Sequence, residues 1–367
     1  MVGNKTRQFR KSTIKEVAAQ AGVSITTVSL FVSGRETVCS PETAQRIRSA
    51  ISTLNYTPSS LTRGLRRQSS MTLGVCIPNP LDYGIAFGTP FFESLWRGVV
   101  HQTNEENYAA LHYPVSVREG PNWAAFLDGR VDGLLIHEHE NDRPAHLARA
   151  GMPVVMLARS IDIPDGCGSV WVDEFHVVDV ALTHLWDLGH RRIAHVAGPV
   201  GYRAPNVMPP DTPAWVFRDD IAIGRVDGFI SWMTERGIFD PRLVAFAQAW
   251  SAPQATDMVQ QWLSLDDPPT AVFCANDRQA FDVIAALSAA GLRVPDDVSV
   301  VGVDNLAGSR DSIPPLTTVE IRIEEIGREA VRALLRIIQG ESLEACRAAV
   351  PLGLLVERSS SGPARAA

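Results

Sequence analysis

The feature that most constrains the fold is a series of short apolar runs that alternate with helical segments from Thr72 onward. Continuous apolar runs between helices are typical of parallel strands covered on both faces. The chain beyond residue 70 is long enough for two domains of roughly 150 residues. We therefore predict two lobes, each a parallel sheet flanked by helices. The predicted strands are TLGVCIP (72–78), GLLIH (133–137), PVVMLA (153–158), SVWVD (169–173), RIAHVAG (192–198), AVFCAND (271–277) and VSVVGVDN (298–305).

The first seventy residues have a different pattern, in which apolar positions recur at helical spacing. Thr13 and Glu16 have the spacing of a capping box, and the helix that begins there would end at Gly22. Ser24 can cap a second helix and Ser40 a third. Three short helices with a tight turn between the first two indicate a helix-turn-helix domain. Another small helical bundle is the alternative that the pattern leaves open.

Charge is divided unevenly between these two regions. Residues 1–70 carry eleven Lys and Arg against three Glu, a net charge of +8, whereas the remainder carries −15 within a chain total of −7. A basic head on an acidic body favours contact between the head and a polyanion such as DNA. On charge alone, a solvated basic tail is the alternative.

Several functional classes are disfavoured by what the sequence lacks. No apolar run is long enough to cross a membrane, and the polar N-terminus lacks the apolar segment of a signal peptide. The five cysteines have no C-x-x-C spacing, which is typical of reduced thiols. We therefore expect a cytoplasmic protein that does not contact a membrane.

Motifs of nucleotide-binding, hydrolase and metalloprotease sites are also absent from the sequence. Residues 137–140 (His-Glu-His-Glu) form the one candidate metal site, but no third ligand has a matching spacing, so a solvated loop is favoured. We expect a protein without enzyme activity, metal or cofactor.

The segments TIKEVAAQAGVSITTVSLFVSG (13–34) and SPETAQRIRSAISTLNYTPSSLTRGLRRQSSMTLGV (40–75) resemble the head of the lactose-repressor (LacI/GalR) family of transcriptional regulators. They include the family's A-G-V-S…T-V-S signature and its L-N-Y-x-P entry to a hinge. The similarity extends over essentially the whole chain. It implies a homodimer that binds a pseudo-palindromic DNA operator, most often as a repressor, and a small-molecule effector, preferentially a carbohydrate, bound between two lobes. These lobes would have the periplasmic-binding-protein-like fold, with three chain crossings between them.

The resemblance also implies an order of domains. We expect a disordered basic arm at 1–12, the helix-turn-helix domain at 13–57, a hinge at 58–70, a bilobal sensor and dimerisation domain at 71–358, and a tail at 359–367. The first lobe would comprise 71–170 and 322–350, and the second 171–321 and 351–358.

Three side chains of the second helix match positions that read base edges in the family, namely Ile25, Thr26 and Leu30. Leu30 replaces an arginine that is usual there. Leucine donates no hydrogen bond but can pack on a thymine methyl group, which predicts an A·T-leaning contact unless Leu30 packs inward. The other DNA contacts that the resemblance implies are Thr13, Ser24, Thr27, Ser29, Ser33, Tyr56, Ser59, Thr62, Arg63 and Leu65.

The segment PSSLTRGLRR (58–67) resembles the family hinge, which becomes helical on the operator. Its Leu65 corresponds to a leucine that enters the minor groove and unstacks the central base step, at a cost of a few kcal/mol that a bent, more extensively contacted duplex offsets. A plain basic linker is the alternative.

Three residues match effector-binding positions of the family: Arg225 of R-V-D-G-F, Asn276 of A-N-D and Asp304 of G-V-D-N. A guanidinium fork, an amide and a carboxylate together suit the vicinal hydroxyls of a sugar. For Arg225 and Asp304 the alternative is a structural ion pair. Trp171 and Trp250 match aromatic positions and line either the binding site or the core. Phe91 is a further candidate for the lining of the site, with the subunit contact as its alternative.

Two substitutions make the predicted site less polar than in sugar-responsive members, with Ile321 and Ala158 standing where polar groups are common. A purine, a phosphorylated metabolite or a partner protein is therefore an alternative effector. A solute-binding protein of the same bilobal fold is the alternative from a different functional class.

Overall fold

The computed structural model describes residues 12–32, 39–56, 69–78, 90–115, 126–137, 142–199, 220–247 and 249–365. It divides into two compact units, one up to Met71 and one from Thr72 onward. Among the described helices, none is long and apolar enough to cross a membrane.

The described residues of the first unit form three helices, α1 (Ile14–Ala21), α2 (Ile25–Val32) and α3 (Pro41–Thr53). The predicted capping box at the start of α1 is confirmed, since the Thr13 side chain accepts from the Glu16 backbone N–H and the Glu16 carboxylate accepts from the Thr13 N–H. Gly22 ends α1 at a φ of +64°, a left-handed conformation that glycine adopts without strain. The three helices enclose a small apolar core formed by Val17, Ala18, Ala21, Val28, Phe31, Ala44, Ile47 and Ala50.

The second unit contains two sheets, and each is covered by its own helices. The elements of the first lobe are β1 (Thr72–Pro78), α4 (Pro90–Glu105), β2 (Ala109–Val115), β3 (Gly133–Ile136), α5 (Asp142–Arg149), β4 (Val154–Leu157), β5 (Gly168–Trp171), α11 (Ile323–Ile338) and β11 (Arg347–Ala349). Its strand order is β11-β5-β4-β3-β1-β2, with every described pair parallel.

The elements of the second lobe are α6 (Glu174–Asp187), β6 (Ile193–Ala197), α7 (Asp220–Glu235), β7 (Val244–Phe246), α8 (Ala255–Leu263), β8 (Ala271–Cys274), α9 (Asp277–Ala289), β9 (Ser299–Val303), α10 (Ala307–Asp311), β10 (Thr317–Val319) and β12 (Leu355–Val356). The strand order is β12-β10-β9-β8-β6-β7. Only the short β12 runs antiparallel among the described pairs of this sheet. The chain crosses between the lobes three times, and the two parallel-sheet lobes predicted from the sequence are confirmed.

Two boundaries need correction. Trp171, which we assigned to the second lobe, is the last residue of β5 in the first sheet. The segment from residue 359, which we predicted as a tail, packs against the second lobe as far as residue 365. Ser360 is fully buried and donates from Oγ to the Val300 carbonyl oxygen at 2.6 Å, and the Gly362 carbonyl oxygen lies 3.0 Å from Nε2 of His190. The segment is held by hydrogen bonds to the second lobe, such as the one from Ser360 to the Val300 carbonyl oxygen. The composition of the segment does not indicate these bonds.

Candidate functional site

The exposed face of α2 carries the side chains that we predicted to read DNA bases. Ser24 precedes the first residue of the helix and caps it, with its Oγ accepting from the Thr27 N–H at 3.0 Å. Val28 and Phe31 on the opposite face are buried in the core of the head, which turns Thr26 and Ile25 outward. Ile25 is 45% exposed.

Leu30, for which two orientations were open, is half-buried and does not belong to the apolar core of the head. Ser29 and Thr27 are half-buried on the same helix. Half-burial fits either orientation, so the thymine contact of Leu30 stays a prediction.

The other predicted DNA contacts fall into two groups. Thr13 is exposed while its side chain serves the capping box, and Tyr56 packs its ring against the core of the head. The remaining candidates, Ser33, Ser59, Thr62, Arg63 and Leu65, and with them the basic arm up to residue 11 and the hinge, lie outside the described residues.

In the second lobe, charged and amide side chains meet at the carboxyl ends of the central strands, where open α/β sheets bind ligands. We call Glu174, Arg225, Asn276, Asp277 and Asp304 the strand-end cluster. All five are buried. Glu174 follows β5 at the start of α6, Arg225 projects from α7, and the last three follow β8 and β9.

Arg225 is 2% exposed and donates from Nε to Oε2 of Glu174 at 2.6 Å. It also donates from Nη1 to the Ala275 carbonyl oxygen. Its guanidinium carbon lies 5.8 Å from the centre of the Trp250 ring. The structure thus places Arg225 in the ion pair that the sequence left open as an alternative to ligand contact.

Asn276 and Asp277 hold the surrounding loops together. Asn276 caps α9 by accepting from the Gln279 N–H at 2.8 Å, and its Nδ2 donates to the Trp250 carbonyl oxygen at 3.0 Å. Both halves of the amide are therefore engaged within the protein, which favours a structural role.

Asp277 is the first residue of α9, and the helix is capped by Asn276 rather than by Asp277. Asp277 accepts instead from the Leu306 N–H at 2.9 Å and from the hydroxyls of Ser309 and Thr318, each at 2.5 Å. Burial raises the pKa of Asp277 to about 6, against the opposing effect of these donors.

Asp304 differs from its neighbour. It is 9% exposed, and its carboxylate makes no hydrogen bond or ion pair with the described residues. Burial raises its pKa well above the usual range, the nearby charge of Arg225 opposes that rise, and the charges of Asp277 and Glu174 add to it. Its φ of +115° is a strained conformation for a residue with a side chain, and such strain is concentrated at functional sites.

One further ion pair joins the two lobes, and sequence reasoning missed it. Arg159 follows β4 of the first lobe and its Nε lies 3.0 Å from Oδ2 of Asp220, the first residue of α7 in the second lobe. The two side chains are 2% and 4% exposed. The signal that could have identified Arg159 is a charged residue two positions after a buried strand.

The aromatic candidates occupy the same end of the sheets. Trp171 is half-buried at the end of β5, and the Trp250 ring packs against Gly198 after β6. Phe91 lies in the first turn of α4, with its ring centre 6.4 Å from that of His137. Their partial exposure suits the wall of a binding site.

His137 itself is not part of a solvated loop, which corrects our interpretation of residues 137–140. It is 7% exposed, and its Nδ1 lies 3.1 Å from the Leu157 carbonyl oxygen. Residues 138–140 lie outside the described residues. Within the described ranges, no group of three His, Cys, Asp or Glu side chains could hold a metal ion.

A helix-turn-helix unit and a two-lobed ligand-binding unit in one chain define the class of ligand-responsive transcription regulators. Comparison with known proteins agrees. Residues 13–59 match the family described as "Bacterial regulatory proteins, lacI family". Residues 182–361 match the family described as "Periplasmic binding protein-like domain". The chain belongs to the lacI family, which confirms the resemblance found in the sequence.

Relatives and solved structures match over nearly the full length. The chain is 30% identical to the "HTH-type transcriptional repressor PurR" of Glaesserella parasuis, covering 95% of this chain and 98% of the relative. It is also 30% identical to the "Ribose operon repressor" of Escherichia coli, covering 95% and 100%. A lac repressor dimer bound to operator and an anti-inducer superposes with a TM-score of 0.79 at 26% identity, covering 96% and 100% of the two chains.

Proposed function

We propose that this protein is a transcriptional repressor that binds an operator as a homodimer. Its affinity for the operator would change when a small molecule binds between its lobes. The observation that carries the proposal is the outward face of α2, where apolar and hydroxyl side chains of a basic domain stand exposed. A two-fold dimer would present two such helices to the two halves of a pseudo-palindrome. A protein that binds operator DNA would act in the cytoplasm, which is the location that we propose.

The relatives support both halves of this proposal. Both relatives are named as repressors, and one solved relative holds operator and anti-inducer together. The strand-end cluster supplies the polar groups for an effector, and the Arg159–Asp220 pair is a contact between the lobes that a change in lobe arrangement would alter. Such coupling between effector and operator sites is typically worth about 1–3 kcal/mol.

Selection of the full chain against a random duplex library tests the DNA-binding half directly. We expect enrichment of a two-fold symmetric sequence. Enrichment of no sequence, with binding that depends only on salt, would contradict the proposal, because phosphate contacts alone carry no sequence information.

The apolar readout predicted for α2 can be tested on the enriched sequence. Leu30→Ala should weaken operator binding about tenfold, as measured by fluorescence anisotropy, since one disrupted base contact costs about 1–3 kcal/mol. Replacing the contacted thymine by deoxyuridine, which removes only its methyl group, should weaken the wild type but not the variant. Leu263→Ala, on the exposed surface of the second lobe, is the matched control and should leave affinity unchanged. A variant still sensitive to every deoxyuridine would exclude the methyl contact.

A further inference from the structure

A buried ion pair connects the first lobe to the second. Nε of Arg159, which follows β4, lies 3.0 Å from Oδ2 of Asp220, the first residue of α7. The two side chains are 2% and 4% exposed, so solvent screens their charges little. Among the ion pairs between described residues, this is the one that joins the two lobes.

The first lobe holds Arg159 firmly in this position. Ser169 on β5 donates from Oγ to the Arg159 carbonyl oxygen, and Nε of Arg159 also donates to the Ile161 carbonyl oxygen at 3.3 Å. Ala158, directly before it, has a φ of +55°, a left-handed conformation that is uncommon for a residue with a side chain. Such strain persists where the surrounding structure fixes the backbone, and it is concentrated at functional positions.

The ion pair lies beside the three chain crossings rather than within them. The crossings follow β5, β10 and β11, and in the first sheet β4 is the neighbour of β5. Two crossings are bonded to each other, since the Glu320 N–H donates to the Leu354 carbonyl oxygen at 3.2 Å and the Gly353 N–H to the Glu320 carbonyl oxygen at 2.9 Å. A rotation of the lobes about the crossings would therefore separate Arg159 from Asp220 and leave each lobe intact.

Burial makes the two charges depend on each other. A buried ion pair gains little net free energy, because the loss of hydration offsets the attraction, whereas a buried charge that has lost its partner is strongly unfavourable. When the lobes separate, water can reach both groups and neither needs the other. Arrangements in which one charge is covered but does not meet the other are therefore disfavoured. Two arrangements remain, with the lobes together and the charges paired, or with the lobes apart and the charges hydrated.

We infer that Arg159 and Asp220 form a latch that makes closure of the lobes all-or-none and that keeps them together before an effector binds. The inference rests on the proposed function and specifies its regulation. The effector would shift a two-state equilibrium, and the position of that equilibrium is set by two residues outside the strand-end cluster.

The distance between the lobes in the full chain tests the latch. Asp142 and Thr256 are exposed in the first turns of α5 and α8, one helix of each lobe. Cys39 is half-buried and the other four cysteines are buried, so a Cys39→Ser background directs labelling to introduced cysteines. Spin labels on Asp142→Cys and Thr256→Cys, in chains diluted with unlabelled chain, report the distance by pulsed electron paramagnetic resonance.

Single and double variants of the pair should differ in this distance. Arg159→Met and Asp220→Asn each leave one buried charge without its partner, so the closed population should fall at least about tenfold as the lobes separate. The double variant carries neither charge and should return to the wild-type distance. Arg192→Gln, which removes an arginine from an ion pair with Asp240 inside the second lobe, is the matched control and should keep the wild-type distance.

Operator binding without effector gives a second measurement. On the sequence enriched by the selection, both single variants should change the affinity in the same direction, by about five- to a hundredfold, and the double variant should restore it. Distances that change while operator affinity stays constant would support the latch and contradict the coupling between lobes and operator in the proposed function.

Three results would overturn the inference. Wild-type distances in both single variants would show that the charges do not control closure. A predominantly long distance in the wild type would show that the lobes are apart before an effector binds. A double variant as open as the single variants would show that loss of the side chains, rather than an unpaired charge, separates the lobes.

Discussion

The two lobes share one architecture but are held together in different ways. In the first lobe, α4 and α11 cross at Gly98 and Gly327, where a side chain on either glycine would overlap the backbone of the other helix. This contact brings two backbones together without any buried charge. At the glycines its strength depends on shape and apolar burial, neither of which changes with pH. Exposed pairs between His101 and Glu324 and between Arg328 and Glu105 also join the two helices.

The second lobe holds most of the described buried polar side chains and all of the described buried carboxylates, namely Glu174, Asp220, Asp277 and Asp304. His195 on β6 is fully buried between the rings of Phe229 and Phe273, at 4.8 and 4.9 Å between ring centres. Its Nδ1 lies 2.9 Å from the Phe273 carbonyl oxygen. The two lobes thus share a fold but differ in what stabilises them, with apolar packing in the first lobe and buried polar contacts in the second.

The largest expected effect is at the buried ion pair of the second lobe. Arg225→Ala leaves the Glu174 carboxylate and the Ala275 carbonyl oxygen buried without their donor, and should cost about 3–5 kcal/mol in the free energy of unfolding. Urea unfolding measures it. The double variant Glu174→Gln, Arg225→Met removes both charges and should cost clearly less. Equal losses for the single and the double variant would show that packing, rather than the unpaired charge, sets the cost.

Acid should destabilise the second lobe through His195. Burial lowers its pKa to about 4, so the folded state keeps it neutral while the unfolded chain takes up a proton below about pH 6.5. Its contribution is intact above pH 6.5 and is lost as pH falls toward 4, a change of about 3 kcal/mol.

The difference in unfolding free energy between wild type and His195→Leu isolates this effect, because the raised pKa of Asp277 acts in the opposite direction over the same range. As pH falls from 7 to 4, the unfolding free energy of the wild type should decrease relative to that of His195→Leu. A difference that is flat between pH 7 and 4 would contradict a neutral buried histidine.

A smaller effect, independent of pH, is expected in the first lobe. Gly98→Ala would push its methyl group into the Glu324 carbonyl oxygen across the helix crossing, and such overpacking costs about 1–3 kcal/mol. Gly129→Ala provides a control for introducing a methyl group, since nothing lies within 4 Å there, although its positive φ makes alanine mildly strained. A loss that varied with pH would break the proposed contrast between the lobes.

The sequence alone predicted the strands that lie in the middle of the sheets. In the first sheet these are β1, β3, β4 and β5, and in the second β6, β8 and β9. Each is buried on both faces and therefore reads as a continuous apolar run. The strands that we missed are the four edge strands β2, β7, β11 and β12, together with the three-residue β10 beside an edge. Edge strands are short or half-exposed, so their composition does not distinguish them from loops.

The helices of the head could also be predicted, because capping at Thr13, Ser24 and Ser40 depends on neighbours within three residues. The contacts within the strand-end cluster could not be predicted in this way. Motif positions located Arg225, Asn276 and Asp304, but only the tertiary structure showed that the first is paired, the second is a cap and the third lacks a donor among the described residues. The partners of these side chains come from other elements, such as Glu174 on α6 and the Ala275 carbonyl oxygen after β8, so local sequence cannot encode them. Local interactions set the elements, and long-range burial decides which charges have partners.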